Sequence, residues 1–276
     1  MNALSQPPAD LSFCMSDDGC KIAVRRLKVS APSAPVIIMI HALAMDHQMW
    51  SDVAVALAVE ANVYAVDCRG HGRSGKPAGP YDVELFNRDL LSVLEHLSVQ
   101  RAVFVGCSMG GTVAIGMAGR FPDRVAGLIA IDTTAWYGED APTRWAERGQ
   151  KALSNGMAML ADFQSDRWFS AEFRASNPEA LQRALDVFLI NDTNAYNESC
   201  LLLGAADERH LLSRYPGPVH VIVGENDYAT PVAMAMEITK ILPQARLQIV
   251  PMARHYTPIE TPEIVAANID QLVSSL

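Results

Sequence analysis

The chain has 276 residues, half of them hydrophobic, with 31 acidic against 22 basic side chains and a formal net charge of −9. A domain of this length buries roughly three quarters of the surface its unfolded chain exposes, so one large core is expected, and without any basic run the acidic balance excludes the Lys/Arg-rich face that nucleic acid requires. The five cysteines, Cys14, Cys20, Cys68, Cys107 and Cys200, are odd in number and form no C-x-x-C pair, which argues against a disulfide framework or zinc site and for a reducing, cytoplasmic setting.

Met1 to Asp10 lacks the basic and apolar segments of a secretory signal, and its Gln6-Pro7-Pro8 reads as a short disordered lead-in. Leu11 to Met15 and Lys21 to Val29 flank Ser16-Asp17-Asp18-Gly19, where Asp and Gly suit a tight turn, so the chain opens on an antiparallel hairpin. From there short apolar strands alternate with amphipathic helices. Val36 to Ile40 precedes a helix from about Gln48, Asn62 to Val66 precedes Val83 to Leu97, and Ala102 to Val105 precedes a helix from Met109. Strict alternation of this kind implies a parallel sheet with right-handed crossovers. The longest apolar run, Val36 to Ile40, is far below the ~20 residues of a membrane span, so no membrane partner is expected.

After the apolar strand Val125 to Ile131 the alternation stops. Residues 133–209 show helical spacing, as in Ala180, Leu181, Ala184, Leu185 and Phe188, and no convincing strand. Alternation resumes with Val219 to Val223, a helix near Val232 to Leu242, strand Leu247 to Val250 and a last helix from Pro262 to Leu276. The expected architecture is an α/β core of residues 1–132 and 210–276, built on an eight-stranded, mostly parallel sheet with the antiparallel N-terminal hairpin, and a helical cap of residues 133–209 inserted into it. A homo-oligomer is neither required nor excluded by this pattern.

Ligands of open parallel sheets bind beyond the carboxyl ends of the strands. Those positions hold His41, Asp67, Ser108, Asp132, Asp227 and His255, most of them able to act as acid, base or nucleophile. Gly106-Cys107-Ser108-Met109-Gly110 lies between the strand Ala102 to Val105 and the helical run Thr112 to Arg120, the context of a nucleophile elbow. A serine hydroxyl needs an imidazole to take its proton and a carboxylate to hold that imidazole in the right tautomer. Of the seven histidines, His255 alone follows the last strand in a loop, while His71 sits in the tight loop Asp67 to Ser74. The acid has two candidates, Asp227 in Gly224-Glu225-Asn226-Asp227 and Asp132 at the end of the strand after the nucleophile, where it would also suit a turn or helix start.

Acyl transfer also needs two donors for the developing oxyanion. The N–H of Met109, after the nucleophile, is one candidate and that of Leu43 in His41-Ala42-Leu43 is the other; Ala42 in place of glycine implies that this peptide needs no positive φ. No H-E-x-x-H, P-loop or G-x-G-x-x-G after the first parallel strand occurs, so neither metal nor cofactor is expected and the partner is a small-molecule substrate. In the cap, Trp136, Trp145, Trp168, Met157 and Met159 are candidates for pocket lining or for plain cap core.

With these residues assembled, the chain resembles the α/β-hydrolase superfamily over essentially its whole length, and within it is most similar to the 3-oxoadipate enol-lactonase group. The resemblance is carried by Leu43 to Trp50, Asp67 to Ser74, Gly79-Pro80-Tyr81, Gly106 to Gly111, Arg167-Trp168-Phe169-Ser170 and Gly224 to Pro231. It implies opening of a five-membered enol-lactone through an acyl-enzyme, a step of aromatic catabolism, with Ser108, Asp227 and His255 catalytic and Leu43 and Met109 as oxyanion donors. A carboxylate-bearing lactone would need a cation, and Arg144, Arg148 and Arg167 are available in the cap, each equally readable as a solvated surface arginine. Where the family has Asn-Ser-Leu-Gly the chain has His41-Ala42-Leu43-Ala44, and Tyr256-Thr257-Pro258-Ile259 departs from the family pattern after the histidine.

The leading expectation is therefore a serine hydrolase of a small ester or lactone. Because fold does not fix function, amide or C–C bond hydrolysis, a cofactor-free lyase or oxygenase using His255 as base, and a ligand-binding protein with a vestigial triad stand beside it.

Overall fold

The computed structural model describes residues 10–276. Of the expected lead-in, residues 1–9 lie outside the described residues. Eight strands form one sheet: β1 Leu11–Met15, β2 Lys21–Lys28, β3 Val36–Ile40, β4 Asn62–Asp67, β5 Ala102–Cys107, β6 Val125–Ile131, β7 Val219–Gly224 and β8 Arg246–Val250, in the order β1-β2-β4-β3-β5-β6-β7-β8. The hairpin β1-β2 is antiparallel and β2 joins β4 antiparallel, while every remaining pair is parallel. The fold is thus the expected one, a mostly parallel sheet with an antiparallel N-terminal pair.

Between these strands run α1 Ser51–Ala56, α2 Val83–His96 and α3 Met109–Arg120. After β6 come α4 Ala141–Asn155, α5 Ala158–Trp168, α6 Ala171–Ser176, α7 Pro178–Leu189, α8 Thr193–Ala205 and α9 Arg209–Leu212; α10 Val232–Ile241, α11 Thr257–Glu260 and α12 Pro262–Val273 complete the chain. A single 3-10 turn, His47–Trp50, precedes α1.

Strand chemistry follows position in the sheet. β5, AVFVGC, is buried along its whole length because helices cover both faces of a central parallel strand. β8 lies at the edge and is mostly exposed, which is why Arg246 and Gln248 are tolerated there. Burying each Val, Ile or Leu of the central strands contributes ~1.5–3 kcal/mol. On α2, the Asp82 side chain accepts from Leu85 N–H at 2.6 Å as N-cap, and Phe86, Leu90, Val93 and Leu94 form its buried stripe. The central α3 is buried almost all round, from Met109 to Gly119.

All residues between β6 and β7 that form regular elements are helical, apart from an isolated antiparallel bridge, Trp136 to Asp207, that ties the start of this segment to its end. Among the described residues no helix is long and apolar enough to cross a membrane. The last helix, α12, begins at Pro262 as expected and ends at Val273, and a short helix not anticipated, α11, precedes it with Pro258 in its first turn.

Candidate active site

Ser108 follows β5 and caps α3 with φ 52° and ψ −115°, a conformation that L-residues rarely adopt. The neighbouring glycines make the turn sterically feasible. A Cβ on Gly106 would lie 2.1 Å from the Gly110 carbonyl oxygen, and one on Gly110 would lie 2.2 Å from that of Ile40. The turn therefore lifts the Ser108 hydroxyl above the sheet, at the N-terminus of a buried twelve-residue helix whose dipole favours negative charge there.

His255 arrives on the loop between β8 and α11. Its Nε2 lies 2.9 Å from Ser108 Oγ and its Nδ1 lies 2.8 Å from Asp227 Oδ2. All three residues are buried. Asp227, in the loop after β7, also accepts from Ala229 N–H at 2.7 Å, Thr230 N–H at 3.0 Å and the Thr230 hydroxyl at 2.8 Å. Burial alone would raise the Asp227 carboxyl, but the charge and hydrogen bond of His255 and the donors of Thr230 outweigh it and hold the carboxyl below its ordinary range.

The alternative acid, Asp132, does not reach the imidazole with a hydrogen bond. Its Oδ1 accepts from Gly224 N–H at 3.0 Å and its Oδ2 from Thr257 N–H at 3.0 Å and the Thr257 hydroxyl at 2.8 Å. Burial and the charge of Asp227 push its carboxyl up. Asp132 therefore fastens the end of β7 to the segment following His255.

Leu43 lies on the cavity wall beside Ser108. Among the described residues neither Leu43 N–H nor Met109 N–H donates to any acceptor, so both are free for a substrate oxygen. Ala42 has no positive φ, but Ala44, two residues on, has φ 60°. The loop is anchored from behind by His41, whose Nε2 accepts from Cys68 N–H at 2.9 Å, and by Asp67, which accepts from His47 N–H at 2.8 Å.

Above the serine lies a cavity of about 690 Å³ between the sheet's carboxyl edge and helices α4, α5 and α7. Arg144, Arg167 and Trp168 all face it, as do Trp145 and Met159. Trp168 also backs the histidine: its ring stacks on Tyr256 at 5.0 Å, and Tyr256 stacks on His255 at 5.5 Å. Trp136 and Met157 do not line the cavity; for Met157 this is the cap-core reading, and for Trp136 it departs from a substrate-binding role. Trp136 lies under the Arg209 guanidinium, 3.7 Å from its ring centroid, because the bridge to Asp207 turns it outward, and Met157 is buried core.

Several residues of the wall escaped the sequence reading, Tyr137, Gln164 and Lys151 among them. Tyr137, next to the misplaced Trp136, is buried facing Ser108's side of the cavity, with its hydroxyl 3.3 Å from Thr112 Oγ1. Gln164 and Lys151 also line it; Lys151 was legible in principle, since Arg144, Arg148 and Lys151 recur at helical spacing on α4. Gly149 is pressed against Asn197, which lets α4 and α8 lie close enough for Arg148 Nε to donate to Tyr196 OH at 2.6 Å.

Residues 35–262 match the model of the alpha/beta hydrolase fold family. The chain is 30% identical to 3-oxoadipate enol-lactonase 2 of Acinetobacter baylyi over 229 residues, 83% of this chain and 85% of that one. It superposes on the crystal structure of the enol-lactonase from Burkholderia xenovorans with a TM-score of 0.90 at 31% identity, covering 95% of this chain and all of the other. A thermophilic esterase from Thermogutta terrifontis gives a TM-score of 0.88 at 25% identity over 97% of this chain and 99% of its own. With a matched family model spanning most of its length and a serine, histidine and aspartate joined at the carboxyl edge of its sheet, the chain belongs to the alpha/beta hydrolase family.

Proposed function

We propose that the protein is a serine hydrolase that cleaves a small ester or lactone through an acyl-enzyme at Ser108, with residues 133–209 acting as a cap on the core of residues 1–132 and 210–276. The observation that carries this reading is the continuous path from Ser108 Oγ to His255 Nε2, 2.9 Å, and from His255 Nδ1 to Asp227 Oδ2, 2.8 Å. With Nδ1–H donated to the carboxylate, Nε2 presents a lone pair to the serine proton. The enol-lactonase relatives support a lactone, including an enol-lactone, as the substrate.

In the first step Ser108 Oγ attacks the carbonyl carbon while its proton passes to His255 Nε2. The carbonyl oxygen becomes an oxyanion beside Leu43 N–H and Met109 N–H, each such donor being worth roughly 2.7–4 kcal/mol of barrier. Collapse breaks the bond to the leaving oxygen, which takes the proton from His255; in a lactone that oxygen stays tethered to the acyl group. Water then gives a proton to His255, attacks the acyl carbon, and releases the acid and the serine hydroxyl. Asp227 steadies the imidazolium at both stages and remains ionised.

The test is a panel of p-nitrophenyl esters, lactones and enol-lactones assayed with wild type and Ser108→Ala. Hydrolysis that falls by about 10³-fold or more in the variant is expected. Turnover retained in Ser108→Ala but lost in His255→Ala would instead indicate proton abstraction by His255, with the serine only a binding group.

A further inference from the structure

On the serine-hydrolase reading, one reacting atom lacks a dedicated hydrogen-bond donor. Leu43 N–H and Met109 N–H are free for the carbonyl oxygen, and His255 takes and returns the proton. When the acyl-enzyme is hydrolysed, Ser108 Oγ is itself the leaving group. It passes from an ester oxygen, a poor acceptor, towards an alkoxide, a strong one. A donor aimed at Oγ therefore gains strength in that transition state, which is the condition for accelerating a step.

Tyr137 is placed to be that donor. It is buried on the cavity wall with Ser108, its ring meets Trp145 edge-on at 5.4 Å, and its carbonyl accepts from Arg144 Nη2 at 3.0 Å. Two threonines decide where its proton goes. Thr133 Oγ1 donates to the Ser108 carbonyl at 2.7 Å and Thr112 Oγ1 donates to the Thr134 carbonyl at 3.0 Å, so both threonine protons are committed. In the contact between Tyr137 OH and Thr112 Oγ1 the phenol is therefore the donor, and at 3.3 Å the bond is weak. Among the described residues this is the one hydrogen bond the phenol makes. A hydroxyl hydrogen rotates to suit the better acceptor, and the Ser108 hydroxyl is near enough to act on the phenol as a second hydrogen-bond partner. Burial pushes the phenol up to about 12 against the pull of Thr112 and Ser108, so it remains a donor well above neutral pH.

Resting on the serine-hydrolase reading, we propose that Tyr137 is a further catalytic residue, which donates a hydrogen bond to Ser108 Oγ as the acyl-enzyme breaks down. Water attacks the acyl carbon and gives a proton to His255 Nε2. The bond from that carbon to Ser108 Oγ then breaks, and Oγ takes the proton from His255. Tyr137 keeps its own proton throughout and shifts its hydrogen bond from Thr112 to Oγ. Acylation gains nothing from this donor, because there Oγ begins as the stronger acceptor and ends as the weaker. Tyr137 thus serves one half of the reaction.

The experiment follows p-nitrophenyl acetate in quenched flow, with the acetyl on the Ser108 peptide measured by mass spectrometry, for wild type and Tyr137→Phe. The phenylalanine keeps the ring against Trp145. Its deacylation rate is expected to fall by about 10- to 100-fold, kcat and KM to fall together, and kcat/KM, which reports acylation, to stay within about threefold. A burst of p-nitrophenol and accumulated acetyl-Ser108 accompany that split. A second variant carries 3-fluorotyrosine at position 137, a more acidic phenol and a stronger donor, and should deacylate about twofold faster than wild type with kcat/KM unchanged. Equal falls in kcat and kcat/KM, an unchanged deacylation rate in Tyr137→Phe, or a fluorotyrosine variant no faster than wild type overturns the proposal; if Tyr137→Phe does not fold, the fluorotyrosine variant decides alone. Loss of p-nitrophenol release in Ser108→Ala leaves the hydrolase reading standing in each of those cases. A wild type that never carries acetyl or a fluorophosphonate on Ser108, with turnover retained in Ser108→Ala, overturns both.

Discussion

Asp132 holds Thr257 by two hydrogen bonds, accepting from its N–H at 3.0 Å and its hydroxyl at 2.8 Å, and so fixes the backbone two residues beyond His255 without touching the imidazole. Burial and the charge of Asp227 push the Asp132 carboxyl up, whereas His255 holds Asp227 down. The two carboxyls therefore do different work. Asp132→Asn conserves the shape of the side chain and leaves the imidazole's hydrogen bonds untouched, and kcat on a p-nitrophenyl ester is expected to stay within about tenfold of wild type. Asp227→Asn leaves the imidazole free to take the wrong tautomer, and a loss of about 10⁴ is expected. Equal losses in the two variants would reverse the assignment.

The backbone at Ser108 is strained. At φ 52° and ψ −115° a side chain costs on the order of 1–3 kcal/mol, which glycine avoids. Ser108→Gly should therefore be more stable than Ser108→Ala by about 1 kcal/mol, the reverse of the usual preference for alanine at a helix start, while both are inactive. Urea unfolding of the two variants side by side measures the difference, and a more stable alanine variant would refute it.

The loop that carries Leu43 is tied to β4 by an ion pair, His47 Nδ1 to Asp67 Oδ1 at 2.9 Å. For Asp67, burial would raise the carboxyl, but the hydrogen bond and charge of His47 prevail and hold it at about 2 instead of 3.8. For His47, burial opposes protonation, but Asp67 prevails and raises its pKa above 6.5. A lowered carboxyl stabilises the fold above its unfolded pKa and loses that contribution as pH falls through the folded one, so the Asp67 share, roughly 2 kcal/mol, fades between about pH 4 and pH 2. A raised histidine stabilises below its unfolded pKa and loses that contribution as pH rises through the folded one. His47→Gln is therefore expected to be destabilised most near pH 5.5 and clearly less at pH 9, read from urea midpoints at both values. A deficit of equal size at both would show that the pair contributes no charge-dependent stability.

Much of this was legible from periodicity and punctuation. Strands such as Val125–Ile131 were visible as apolar runs, and Gly106 and Gly110 marked the elbow because a close-packed strand-to-helix turn admits no Cβ there. The rest depended on which way a residue turns once the chain is folded. Asp132 and Asp227 both follow strand ends, and only the neighbours that claim their oxygens separate them. Trp136 and Tyr137 are adjacent and equally aromatic, but one bridge to Asp207 sends Trp136 outward and leaves Tyr137 on the cavity wall. His220 carried no sign of being buried, because β7 looks the same in sequence whether its alternate residues meet solvent or α12. Gln164 was illegible for a simpler reason: a missing hydrogen-bond partner is a property of packing, not of spacing.

The claim that Ser108 is the nucleophile, activated by His255, is tested most directly by covalent capture. Purified protein treated with a fluorophosphonate and digested for mass spectrometry should carry one adduct, on the peptide containing Ser108. Labelling should vanish in Ser108→Ala and slow by at least about 10³-fold in His255→Ala. A protein that stays unlabelled, or that carries the adduct on another residue with equal efficiency in Ser108→Ala, would contradict the account.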